Sequence, residues 1–105
     1  MSVSFFDPAN PTKYDDDYNE IGGTPTVNLS NVNARFVLTF LGIDSSDLCG
    51  EMQAQDMIKV VEKGIYMANV FPVDDREYLA DALARLLRLS NQITLDNLNG
   101  KISWC

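Results

Sequence analysis

Residues 95–104, Leu95-Asp96-Asn97-Leu98-Asn99-Gly100-Lys101-Ile102-Ser103-Trp104, decide how much of this chain is sheet. Asn99-Gly100 is a strong short-range turn signal, and Ile102 and Trp104 alternate with polar neighbours as a half-buried strand does. Two pairings are open. Leu95–Leu98 and Lys101–Trp104 can fold on each other as a small hairpin, or the last strand can pair with residues near Val3–Phe6. Either way the β element is minor, because the segments upstream read as helices.

The clearest helix precedes the turn. Asp74 and Glu77 stand at capping-box spacing, and Val73 and Tyr78 at the spacing of a hydrophobic staple. Leu79, Ala82, Leu83, Leu86 and Ile93 follow as one apolar stripe, widened by Leu87 and Leu89. Asp81 and Arg85 make a supportive i,i+4 pair, and the helix is expected to end around Asn91. A second helix runs from near Gln53 to Ala68, with Ala54, Met57, Ile58, Val61 and Ile65 on its apolar face. Gly64 within it costs about 1 kcal/mol relative to alanine, which marks a place for close approach by a neighbour.

A third helix begins inside the stretch NLSNVNARFVLTFLG, residues 28–42. The Ser30 hydroxyl can accept from the Asn33 backbone N–H as an N-cap, while Asn28 and Asn31 suit the entering turn. Phe36, Val37, Phe40 and Leu41 then recur at helical spacing, and Gly42 supplies the stop. A helix N-terminus also suits an anion, but no glycine-rich loop or adjacent lysine accompanies this one. The cap reading is preferred. Residues 43–50 read as a connection.

Residues 1–27 differ in character. They hold Pro8, Pro11 and Pro25, the Gly22-Gly23 pair and the acidic run Asp15-Asp16-Asp17, a composition suited to an extended arm. Val3-Ser4-Phe5 and Thr26–Leu29 can form short strands. The same segment carries Phe5, Phe6, Tyr14 and Tyr18, four of the ten aromatic residues, which disordered segments seldom do. Phe5 and Phe6 are therefore expected to dock near Trp104 and the C-terminal strand. Tyr14 and Tyr18, flanking Asp15, Asp16 and Asp17, are expected to stay accessible as the partner-binding patch. The fold class expected is mainly α: a three-helix body over residues 28–105, an extended N-terminal arm over 1–27, and a minor β-hairpin or strand pair.

Composition narrows function. The chain has no histidine, which removes Ser-His-Asp and Cys-His nucleophile arrangements and His-based metal sites together. Asp15, Asp17 and Asn19 match the first positions of a calcium loop, but Glu20 replaces the required glycine and Thr26 the bidentate glutamate. Asp74, Asp75 and Glu77 are accounted for by a helix first turn. No catalytic residue, metal site or cofactor is assigned. Catalysis by paired carboxylates, or ligand binding by them, stands as a minor alternative.

The net charge of −7, from 15 acidic and 8 basic residues, argues against direct nucleic-acid binding. It permits mimicry of DNA without demanding it, since small soluble domains often carry a net charge of about 2 to 8 in magnitude. Arg85 and Arg88 form only a small basic spot, adequate for a partner's carboxylate. Cys49 and Cys105 are too few for a disulfide framework, and two free thiols in a reducing compartment are expected. Cys49 lacks a histidine partner and has Asp44, Asp47 and Glu51 nearby, so it reads as a packed thiol. No apolar run reaches the ~18 residues of a membrane span and no basic leader precedes one, so a cytoplasmic protein is expected. Asn28-Leu29-Ser30 then matches the glycosylation pattern only by coincidence.

The pattern Asn28–Ala34 running into Leu41-Gly42, then Cys49-Gly50 and Ser103-Trp104, with the opening Ser4-Phe5-Phe6-Asp7-Pro8, resembles small uncharacterised bacterial and prophage-type proteins. That resemblance brings no established activity and implies a microbial or phage accessory setting. The function expected is a non-enzymatic protein–protein interaction module, in its most concrete form an acidic phage-type effector or inhibitor of a host or defence protein. The alternative is a small assembly subunit that self-associates as a homo-oligomer.

Overall fold

Strand pairing between distant segments organises the molecule. The computed structural model describes residues 1–105. Strand β1 (Ser2–Phe6) lies between β4 (Val27–Ser30) and β6 (Lys101–Trp104), and β5 (Gly50–Gln53) completes an antiparallel sheet of order β4-β1-β6-β5. The register sets Phe5 opposite Val27 on one side and opposite Trp104 on the other. Side chains alternate across the sheet. Val3, Phe5, Val27, Leu29, Ile102 and Trp104 all point to one buried face. The opposite face carries polar residues, where Ser4 Oγ donates to Asn28 Oδ1 at 2.6 Å and Lys101 Nζ lies 3.5 Å from Glu51.

Three helices cover the buried face: α1 (Asn31–Phe40), α2 (Ala54–Val70) and α3 (Arg76–Asp96). They meet the sheet in one apolar cluster that includes Val37, Leu38, Met57, Val61, Leu79, Leu83 and Leu86. Ser30 caps α1 as its side chain implies, accepting from the Asn33 N–H at 3.2 Å. The other end closes on Gly42, whose φ of +75° is left-handed; Gly42 N–H donates to Thr39 and Ile43 N–H to Leu38. This is the paired C-terminal bond pattern that favours glycine. Gly64 of α2 faces α1 so closely that an added Cβ would stand 2.7 Å from Leu41 Cδ2.

Several expectations are overturned. The chain is not a three-helix domain with an appended arm and a minor β element. It is 46% helix and 21% strand, a mixed α/β fold with a four-stranded antiparallel sheet. Residues 95–98 form no hairpin strand, because α3 continues past Asn91 to Asp96 with Ile93 still buried beneath it. Asn99-Gly100 then turns the chain out of a helix, with Gly100 N–H donating to Asn97 O at 2.8 Å. Gly100 lies against Ile93, where an added Cβ would meet Cγ2 at 2.6 Å. The final strand pairs with β1 and β5 instead.

The capping box of α3 is absent too. Asp75 occupies the N-cap in a left-handed conformation (φ 53°) with no side-chain cap bond, because the tight reversal from α2 starts the helix one residue later than the Asp74–Glu77 spacing requires. Asp81 and Arg85 make no ion pair, and Lys101–Glu51 is the only salt bridge. Cys49 and Cys105 are joined in a disulfide rather than free. The register explains it: Gly50 pairs with Trp104, so the next residues outward, 49 and 105, become neighbours. No helix is long and apolar enough to cross a membrane.

Candidate functional site

The acidic run lies in the turn of a second, two-stranded sheet. Strands β2 (Lys13–Tyr14) and β3 (Glu20–Gly22) pair antiparallel, Lys13 opposite Gly22 and Tyr14 opposite Glu20, with an irregular register between them. The turn joining them is built by Asp15. Its Oδ1 accepts from the backbone N–H groups of Asp17 and Asn19, both at 2.9 Å, and its own N–H donates to Asn19 O at 2.9 Å. These donors hold the Asp15 carboxyl below the usual carboxylate range, the Asn19 N–H most strongly. Tyr18 adopts a left-handed φ of 64° at the tip, its N–H donating to Asp15 O at 3.0 Å.

The root of the hairpin is tied to the body by side-chain hydroxyls and amides. Buried Asp7 accepts from Ala9 N–H at 2.9 Å and from the Thr24 hydroxyl at 3.5 Å. Thr12 Oγ1 donates to Thr24 O at 2.6 Å and contacts the Thr26 hydroxyl at 3.0 Å, while Thr24 N–H donates to Asn10 O. Gly23 makes the crossing possible: its φ is +78°, and an added Cβ would stand 2.0 Å from Pro11 O. Polar loop residues thus act as a fixed stalk, since its buried residues Asp7 and Thr24 are both hydrogen-bonded.

The five residues singled out from the sequence are therefore brought together on one hairpin, in unequal roles. Tyr14 is 52% exposed and Tyr18 87% exposed, and Asp16 and Asp17 stand exposed between them. Asp15 shapes the turn. Two contributors went unrecognised in the sequence, Glu20 and Ile21, the latter 65% exposed. Their alternation with Tyr14 across a short strand pair was masked by the glycines that follow.

Comparison with protein-family models, with curated proteins and with solved structures finds no match.

Carboxylates gather at one further place. Asp44, Asp47 and Glu51 line a cleft of about 260 Å³ beside Cys49 and Trp104. Glu51 is engaged by Lys101, and Asp44 accepts from Ser46 N–H at 3.0 Å, which holds its carboxyl below the usual range. A general acid near neutral pH needs the opposite shift.

Proposed function

We propose that the protein is a non-enzymatic protein–protein interaction module that presents the 13–22 hairpin to a partner bearing basic residues around an apolar pocket. The observation that carries this reading is the conformation of the tip. Tyr18 stands exposed on a turn already held by Asp15, with Tyr14 and Ile21 exposed on the strands below it and a stalk held by Asp7, Thr12 and Thr24. Aromatic side chains contribute most where they fill a partner's pocket, and a preformed loop loses less entropy on binding. Asp16, Asp17 and Glu20, together with the whole chain's net charge of −7, favour encounter with a basic surface. An inhibitor that covers the basic surface of a host protein is the most concrete form of this reading.

The test is affinity capture on the intact protein, followed by reconstitution with the purified partner. Tyr18→Ala and the double change Asp16→Asn, Asp17→Asn should weaken the reconstituted complex while the circular dichroism spectrum stays unchanged. Turnover of any substrate that depends on an acidic residue would defeat the proposal. A second reading, a self-associating assembly subunit, is favoured by Tyr66, Val70 and Phe71, each half-exposed or more at the end of α2. Sedimentation of the purified chain alone separates the two, because a subunit of that kind assembles without a partner.

A further inference from the structure

On the helical side of the hairpin root, α3 and the Thr24–Val27 segment enclose a cleft of about 210 Å³. Arg85 and Arg88 both line it, with Gln92 beyond them and buried Val27 and Leu89 as apolar lining. No other cleft in the molecule is lined by two cations. Three residues apart on one helix, the two guanidinium groups share a face, and like charges so placed repel. Neither donates a hydrogen bond within the chain, and neither has an acidic partner, although Asp81 lies one turn before Arg85. Arg85 is partly buried and Arg88 exposed, so both guanidinium groups keep their donors free for an incoming acceptor. Arg76, by contrast, donates to Phe71 O at 3.0 Å.

We infer that this cleft binds a small oxyanion, a carboxylate or a phosphomonoester, carried on a short apolar body. Two adjacent guanidinium forks match the paired oxygens of either group and would be relieved of their mutual repulsion by its charge. Val27 and Leu89 would receive the apolar part. The volume limits the ligand to a small molecule or a single side chain. The site is separate from the hairpin tip and independent of what the tip binds, although Thr24 both lines the cleft and anchors the hairpin root.

The experiment is a titration of the intact protein, followed by amide and arginine side-chain NMR, with inorganic phosphate, phenyl phosphate, acetate and butyrate at matched ionic strength, and sodium chloride as the control. Saturable shifts at Arg85, Arg88 and residues 24–27 are expected, with the apolar body giving butyrate tighter binding than acetate or phenyl phosphate tighter binding than inorganic phosphate. Preference for the phosphates or for the carboxylates identifies which oxyanion is bound. Arg85→Gln and Arg88→Gln should each weaken binding about tenfold or more, as loss of a charge-assisted hydrogen bond does. Thermal unfolding of each variant should match the parent. Shifts that rise linearly, that chloride reproduces, or that persist undiminished in both variants would overturn the inference.

Discussion

Phe5 stacks on Trp104 with ring centroids 5.9 Å apart and planes inclined by 30°, joining the second strand of the sheet to the last residues of the chain. Offset aromatic pairs of this kind contribute about 0.5–1.5 kcal/mol beyond the area they bury. Phe5 is fully buried, so Phe5→Ala should cost about 3–5 kcal/mol in urea denaturation. Deleting residues 1–9 should be more severe, because it removes β1 from between β4 and β6. An unchanged melting temperature after that deletion would show that β1 does not hold the sheet.

Leu86 lies on the buried face of α3 with no solvent exposure, beside Leu83 and Leu79. Leu86→Ala should cost about 2–5 kcal/mol, from lost burial and the cavity left behind. A change under about 0.5 kcal/mol, the scale of surface substitutions, would place this helix face wrongly.

The Cys49–Cys105 disulfide spans a sequence separation of 56 residues and clamps β5 to the end of β6. Closing a loop of that order should stabilise the fold by about 2–4 kcal/mol through the unfolded chain. Denaturant midpoints with and without dithiothreitol measure it directly. The paired Cys49→Ser, Cys105→Ser variant should behave as the reduced protein in either buffer.

At the hairpin, stability and recognition should separate by residue. Gly23→Ala should disorder the hairpin, since its Cβ would collide with Pro11 O at 2.0 Å. Tyr18→Ala should leave the amide spectrum of the β1–β6 sheet unchanged and reduce partner affinity. Should Tyr18→Ala instead unfold the hairpin, its left-handed φ of 64° would be a structural rather than a recognition feature.

Asp15 gives the hairpin a pH dependence of known sign. Its carboxyl is held below the ordinary aspartate range by backbone donors, Asn19 first and Asp17 after it. A depressed folded-state pKa contributes stability above the unfolded value that disappears as pH falls through the lowered one. The Asp17 and Asn19 amide resonances should therefore move together in a titration from about pH 6 to about pH 2, with a midpoint below the ordinary aspartate value. A midpoint at or above that value would contradict the turn as described. Asp15→Asn should abolish the transition.

Helices α1, α2 and α3 were legible because their information is local. The Ser30 cap, the Gly42 stop and the stripe from Leu79 to Ile93 each lie within a few residues of what they control. The docking of Phe5 and the strands at Val3–Phe5 and Thr26–Leu29 were legible for a related reason: alternating apolar residues need a buried face. Strand β5 was not. Gly50, Glu51 and Gln53 are exposed and show no apolar alternation, so only the backbone pairing with Lys101–Trp104 makes them a strand.

What the sequence alone determined is the Ser30 start of α1 and which helix faces must be buried, because caps and periodicity act through neighbours along the chain. Tertiary structure alone decided the rest. Lys101–Trp104 met β1 and β5 rather than residues 95–98, because burying Ile93 keeps α3 helical through Asp96 and leaves no local strand to pair with. That pairing then brought Cys49 beside Cys105. It also left Arg85 and Arg88 facing the Thr24–Val27 segment across one cleft, a juxtaposition of residues some 60 positions apart along the chain. Contacts that far apart follow from how sheet and helices pack, and no local pattern encodes them.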